Sequence, residues 1–174
     1  MSSEEGLPRK LTAILHADVV GYSRLMGEDE EGTHRLLREF LDLISAAVES
    51  HHGRVVSYAG DAVLVDFATV TEALSCAWES QQTLALRNQD LPDERKVEFR
   101  IGVNLGEVIV DGDDIYGDGV NVAARLEALA DPGGICVSES VRSAAGSKFA
   151  LGFEFMGERA VKNIAEPVLS LIHI

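Results

Sequence analysis

The order of hydrophobic patterns along the chain limits its fold more than any other feature. Alternation typical of strands and spacing typical of amphipathic helices follow each other as strand, helix, strand, strand, helix, strand. This order predicts an α+β fold of the ferredoxin-like βαββαβ type, an antiparallel sheet with its helices on one face. The other face is expected to be open and to need a partner or a ligand. The six segments are residues 10–20, 30–52, 54–58, 62–67, 71–87 and 99–110.

The last third of the sequence predicts a further helix and peripheral strands around that core. The 174 residues, 46% of them hydrophobic, are enough for one domain with a buried core. We expect residues 1–9 to be a flexible lead-in and residues 10–174 to form this domain. The additional elements are a helix from Asn121 to about residue 130, a strand at 135–138, a helix at 138–145, and strands at 153–161 and 167–174.

The charge of the chain argues against two classes of partner. Fifteen basic and 29 acidic residues give a net charge of −14, which repels nucleic acid and anionic membranes. A polyphosphate ligand would need a metal ion and a few local basic residues. Cys76 and Cys136 lie in apolar runs, and the sequence has no signal peptide and no membrane-spanning run. These features predict reduced thiols, a cytoplasmic location and no insertion of this domain into a membrane.

Asn121 and Arg125 are candidates for contact with a phosphate. They are four residues apart on a predicted helix that follows the acidic, glycine-rich turn 111–119, so they share one helical face. A guanidinium above an amide suits a phosphate or an anionic transition state. The alternative is an ordinary solvated helix face. A calcium-binding loop is excluded, because an EF-hand starting at Asp111 would need glycine at Tyr116.

Asp18 and Asp61 are candidates for a metal site. Asp18 ends the first strand, and Asp61 lies in the hairpin turn Ala59-Gly60-Asp61 before the third. The first and third strands are central neighbours in this fold, so the two carboxylates can meet. At about 4 Å and an effective dielectric of about 20 they would repel by roughly 4 kcal/mol, which a divalent cation removes. Oxygen ligands favour Mg²⁺ or Mn²⁺. The alternative is that both carboxylates serve as turn or capping residues.

Five stretches of the chain, taken jointly and in order, carry a much more specific signal. Together they resemble the catalytic domain of class III nucleotidyl cyclases, the adenylyl and guanylyl cyclases, in its bacterial form. The resemblance runs from Leu11 to about Leu171. The stretches are ILHADVVGYSRLM, GRVVSYAGDAVLVDF, FRIGVNLGEVIV, DIYGDGVNVAARLE and ERAVKNIAEPV.

The resemblance implies a role for each matching residue. The metal ligands would be Asp18, Asp61 and the carbonyl of Val19, holding two Mg²⁺ or Mn²⁺ ions. Asp114 would accept the exocyclic amine of adenine, Asn121 would orient the ribose, and Arg125 would stabilise the transition state at the α-phosphate. The residues implied to hold the phosphates are Val20, Gly21, Tyr22 and Ser23 around the triphosphate, and Lys162, helped by Arg159, at the terminal phosphates.

The same resemblance implies an obligate head-to-tail homodimer with each site shared between two chains. It implies conversion of ATP to 3′,5′-cyclic AMP and pyrophosphate. The chain departs from the family at Ser57, where a lysine usually reads the adenine ring, and losing that charged donor weakens discrimination by about 1–3 kcal/mol. The hairpin 108–116 is also shorter than is common, which leaves the dimer contacts open.

Two alternatives to an adenylate cyclase stay open. One is a guanylate cyclase, although Ser57 and Asp114 are not the glutamate and cysteine pair typical of that activity. The other is a nucleotide-binding or dimerising module without catalysis that regulates an attached domain. The final apolar run LSLIHI predicts that further domains follow residue 174 in a longer protein.

Overall fold

The computed structural model describes residues 6–145 and the backbone of two later strands, and its strands form one sheet. The sheet has the order β2-β3-β1-β4-β6-β8-β7, and β5 pairs with β4 alone. The strands are β1 Arg9–Val19, β2 Arg54–Ala59, β3 Ala62–Phe67, β4 Phe99–Asp111, β5 Asp114–Tyr116, β6 Ile135–Ser138, β7 Phe153–Arg159 and β8 Val168–His173. The helices are α1 Tyr22–Glu28, α2 Glu30–Ser50, α3 Val70–Asn88, α4 Asp118–Leu129 and α5 Glu139–Ala145.

The predicted ferredoxin-like core is confirmed. β1 lies between β3 and β4 and pairs antiparallel with both, while β2 pairs antiparallel with β3 at the edge. The helices α2 and α3 begin where the sequence offers a cap. Asp29 accepts the amide of Gly32 before α2, and Thr69 accepts the amide of Glu72 before α3.

Alternate residues of β1 separate two layers of core. Ala13, Leu15 and Ala17 pack under α2 and α3 in the main hydrophobic cluster. Ile14, on the other side of the strand, belongs to a smaller cluster with Ala123 of α4. This alternation is expected of a strand that is buried on both faces.

The second face of the sheet, expected to be open, carries α4 over β1 and β4. Gly102 makes this possible, because a Cβ at that position would collide with the backbone of Ala123 and Glu127. The missing side chain lets the helix backbone lie directly on the strand. The expectation of an open face was therefore wrong for the part of the sheet that α4 covers.

Two further local features were not expected. The chain turns at Gly21, which has φ 70°, and enters the short helix α1. A register shift between Val55 and Ser57 marks a bulge in β2. Within the described residues, none of the helices has both the length and the apolar character that crossing a bilayer requires.

Candidate active site

The carboxyl groups of Asp18 and Asp61 meet at one end of the sheet. The pairing of Ala17 with Val63 brings the end of β1 beside the turn before β3. Burial raises the pKa of Asp61 to about 6, and a hydrogen bond and the charge of Asp18 add to the rise. Asp18 in turn accepts the amide of Val19 at 2.8 Å. The strand order thus brings together two carboxylates that are far apart in sequence.

Glu127 adds a third carboxyl group to this end of the sheet, and the sequence reasoning missed it. It lies on the inner side of α4 and is only 6% exposed. Burial and then the charge of Asp18 raise its pKa to about 7, against a lowering by Arg100. The signal in the sequence was an acid among the buried positions of α4, beside Leu126 and Ala130, where an apolar residue is normal.

Arg100 is a second residue that the sequence reasoning missed. It stands opposite Asp18 in the β1–β4 pair, and its Nε is buried without a hydrogen-bond partner. A buried N–H donor without an acceptor is costly, so Arg100 is a candidate to bind an anionic ligand at this end of the sheet. Strand alternation could have found it, since Arg100 lies on the same face of β4 as Gly102, towards α4.

The donor set at this end fits a hard divalent cation. Burial raises the pKa of Asp61 because it disfavours the ionised carboxylate, and a bound cation would stabilise that ionised form. Among residues 6–145 no three His, Cys, Asp or Glu side chains form a metal-binding group. The set that fits is therefore the pair Asp18 and Asp61 with the carbonyl of Val19, and such oxygen donors suit Mg²⁺ or Mn²⁺.

The segment predicted to wrap a triphosphate follows Asp18 directly. Val20 already donates its amide to the carbonyl of Glu98 at 2.8 Å, so this amide is engaged within the chain. Gly21 forms the turn, and Tyr22 and Ser23 open α1. The first turn of a helix has amides without intrahelical partners, so Gly21, Tyr22 and Ser23 are better placed to donate to a phosphate than Val20.

Asn121 and Arg125 point away from the sheet. Both are exposed on α4, one helical turn apart, on the side opposite Glu127. Since Glu127 faces Asp18, the outward pair does not face the carboxylates of its own chain. The two side chains share one helical face, as predicted. A phosphate bound by them would lie on the outer side of α4, away from the carboxylate pair of the same chain.

Asp114 follows the far end of β4, whereas Ser57 pairs with Leu64 beside His16 and so lies nearer the carboxylate pair. Asp114 pairs with Asp111 at the end of β4, whereas Arg100 lies at its beginning. Ser57 is exposed on β2, and Asp114 accepts the amide of Ile115 at 2.9 Å. The pKa of Tyr116 is raised by a hydrogen bond to Asp114 and by its charge.

A sequence model of the adenylate and guanylate cyclase catalytic domain matches residues 8–168. The chain belongs to this family. Putative adenylate cyclase 3 of Rhizobium meliloti (strain 1021) is 46% identical over 167 residues, which are 95% of this chain and 28% of that protein. The cyclase domain described here therefore spans little more than a quarter of that relative.

Solved structures agree with this assignment. An adenylate/guanylate cyclase/hydrolase from Silicibacter pomeroyi has 39% identity and a TM-score of 0.91, covering 97% of this chain and 99% of that one. The adenylyl cyclase CyaB from P. aeruginosa has 24% identity and a TM-score of 0.84, covering 96% and 95%. At that lower identity the likeness concerns the fold alone.

The cyclase domain therefore brings some of its predicted site residues together and separates others. Asp18, Asp61 and the start of α1 share one end of the sheet, and Ser57 lies near it on β2, whereas Asp114 follows the far end of β4. Lys162 lies outside the described residues, and of Arg159 only the backbone at the end of β7 is described. No single chain gathers the described residues of the predicted site around one nucleotide.

Proposed function

We propose that this domain is an adenylate cyclase that converts ATP to 3′,5′-cyclic AMP and pyrophosphate in a site shared by two copies of the chain. The observation that carries the proposal is the separation just described. The carboxylate pair lies at one end of the sheet, Asp114 follows the far end of β4, and Asn121 and Arg125 face outwards, away from the carboxylates. A head-to-tail pair of chains would complete two equivalent sites, as closed two-fold symmetry allows.

One half of each site would hold the triphosphate. Asp18, Asp61 and the carbonyl of Val19 would bind two Mg²⁺ or Mn²⁺ ions. When bound, these ions make the ribose 3′-hydroxyl more acidic and neutralise charge on the leaving pyrophosphate. The free amides at Gly21 to Ser23 would donate to phosphate oxygens. The unsatisfied Nε of Arg100 would add a charged donor there, and Lys162 and Arg159 are proposed to hold the terminal phosphates.

The second chain would supply the other half. Its Asn121 would orient the ribose so that the 3′-oxygen lies in line with the α-phosphorus, a positioning effect. The 3′-oxygen attacks, its proton leaves to solvent, and the bond between the α-phosphorus and the bridging oxygen of pyrophosphate breaks. Arg125 would stabilise the charge that develops on the α-phosphate, as a preorganised donor does.

The purine would lie between Ser57 and Asp114 of that second chain. A carboxylate accepts the exocyclic amine of adenine and repels the carbonyl oxygen that guanine has in its place, so ATP is the proposed substrate. The carboxylate of Asp114 already accepts the amide of Ile115 and a hydrogen bond from Tyr116, so the adenine amine would use one of its remaining acceptor positions. Ser57 would be a short, neutral donor to the ring.

Ser57 is also the observation that favours the alternatives, namely use of GTP or loss of catalysis in a regulatory module. Turnover decides between them. We expect purified protein to form cyclic AMP from ATP with Mn²⁺, and less with Mg²⁺, and to prefer ATP to GTP. Asp61→Asn serves as the control that removes a metal ligand. A preference for GTP would overturn the role of Asp114, and binding without turnover would support the regulatory module.

A further inference from the structure

A chain of charged contacts joins β2 to the turn between β4 and β5. The guanidinium of Arg54 donates to the carbonyl of Asp113 at 2.6 Å and to the carboxylate of Asp66 at 3.2 Å. The Asp66 side chain is only 6% exposed, and Lys10 donates to the same carboxylate oxygen at 2.9 Å. A buried carboxylate with two cationic partners fixes the direction from which Arg54 approaches the turn.

The strand order shows why this contact matters. β2 and β4 are separated in the sheet by β3 and β1, and β5 pairs with β4 alone. Arg54 can therefore reach Asp113 only if the β4–β5 turn bends over the face of the sheet. The turn itself is a tight one, with Gly112 at φ 61°. Ile115 packs in a cluster with Ile14 to which Val56 of β2 also contributes, and the Arg54 bond adds a directional polar contact between this turn and the far edge of the sheet.

The bulge in β2 places Arg54 and Ser57 on the same face. Arg54 pairs with Asp66, and Ser57 pairs with Leu64, two residues away on β3. Without the extra residue Val56, two positions three apart in a strand would face opposite sides. The strand that carries one proposed base-reading residue thus also carries the guanidinium that holds the turn before the other, Asp114.

We propose that Arg54 is a positioning residue for base selection: by holding the carbonyl of Asp113 it sets where Asp114 meets the purine. The inference rests on the proposed function, because it assigns Arg54 an effect on the preference for ATP. In this role Arg54 acts through the Asp113 carbonyl and not through contact with the nucleotide or the metal. Its loss should change the discrimination between purines and leave the chemical step intact.

The test compares Arg54→Met with Lys10→Met, which removes the other cation from the same buried carboxylate and does not touch the turn. In the single variant the buried carboxylate of Asp66 loses one of its two cationic partners. The double variant Arg54→Met/Asp66→Asn removes that charge as well, so we expect the double variant to fold even if the single variant does not. For each protein, kcat and KM are measured with ATP and with GTP in Mn²⁺. Hydrogen exchange is measured at the amides of residues 112–116.

We expect both Arg54 variants to lose roughly tenfold in the ratio of kcat/KM for ATP to that for GTP, mostly through KM, since displacement of a positioned group is costly. Exchange at 112–116 should be faster in them and unchanged in Lys10→Met. Arg54→Lys should restore the ratio in part, because an ammonium lacks the fork that joins both acceptors.

Two outcomes overturn the proposal, and they differ from failure of the function itself. An unchanged ratio in active Arg54 variants removes the role of Arg54 and leaves the adenylate cyclase standing. An equal fall of the ATP-to-GTP ratio in Lys10→Met would assign the effect to Asp66 and would also overturn the role of Arg54. If the wild-type chain forms no cyclic nucleotide from ATP or GTP, the proposed function fails and the inference fails with it.

Discussion

The carboxyl group of Glu127, on α4, lies within hydrogen-bonding reach of Asp18, at the end of β1. The same helix presents Asn121 and Arg125 on its outer side. One short helix therefore packs against the proposed metal pair of its own chain and presents on its outer side the residues proposed to contact the nucleotide of a second chain.

Glu127→Gln should stabilise the metal-free protein at high pH. Its pKa is raised from 4.5 to about 7 in the folded chain, first by burial and then by the charge of Asp18. Between those values the folded state holds a proton that the unfolded state has lost, so this group's contribution makes stability fall as pH rises. Glutamine removes the buried charge, and the gain above pH 7 should be on the order of 2–3 kcal/mol.

Urea denaturation at fixed protein concentration, without metal, measures the effect at pH 8 and near pH 4.5. The difference between Glu127→Gln and wild type should nearly disappear at the lower pH, where Glu127 is protonated in the folded state and half ionised in the unfolded state. Glu107→Gln is the control, since Glu107 is 60% exposed in a surface ion pair. Loss of stability in Glu127→Gln at pH 8 would contradict the reasoning.

Binding of Mn²⁺ should weaken as pH falls through about 6. The pKa of Asp61 is raised to about 6, chiefly by burial, and a protonated carboxyl is a poor ligand. We expect affinity at pH 5 to be roughly tenfold lower than at pH 7.5, as one competing proton requires. Calorimetric titration checks this, with Asp61→Asn expected to bind weakly at both pH values. An affinity independent of pH would separate Asp61 from the metal.

The sequence was enough to place most of the fold and the carboxylate pair, for identifiable reasons. Strands and long helices follow from residue periodicity, and the meeting of Asp18 with Asp61 follows from strand order alone. The end of α2 was harder. The segment was predicted to run to residue 52, whereas α2 ends at Ser50 and His52 takes the left-handed conformation, with φ 59°. Gly53 is needed because a Cβ there would collide with the ring of Phe67.

The residues that were missed depend on packing across the sheet. Glu127 reaches Asp18 only because α4 lies against Gly102, and local sequence does not encode which helix covers which face. Arg100 becomes visible only once the register pairs it with Asp18. Val20, predicted to donate to phosphate, instead gives its amide to Glu98 of a distant loop. Each depends on contacts between segments that are remote in sequence.

Arg125→Ala should lower turnover by roughly 10²–10³, as loss of one transition-state donor does elsewhere. KM for ATP should change little, because the contact forms mainly in the transition state. Mixing this variant with Asp61→Asn tests whether the site is shared. Each variant alone should be nearly inactive, and random exchange of subunits should restore about a quarter of wild-type activity, because half of the dimers would hold one intact site. An inactive mixture in which heterodimers are detected would exclude a shared site.

Gly102→Ala should lift α4 from the sheet. The added methyl group would meet the backbone of Ala123 and Glu127, which cannot move away as a flexible side chain could. We expect a loss of about 1–3 kcal/mol in the free energy of unfolding, as for other overpacked positions. Turnover should fall with it, since Glu127 would leave Asp18 and Arg125 would be displaced. Gly27→Ala is the matched control, because a Cβ at Gly27 meets no atom within 4 Å. Denaturant titration and turnover on both variants provide the measurement, and a Gly102→Ala protein as stable and active as Gly27→Ala would show that α4 does not need this close contact.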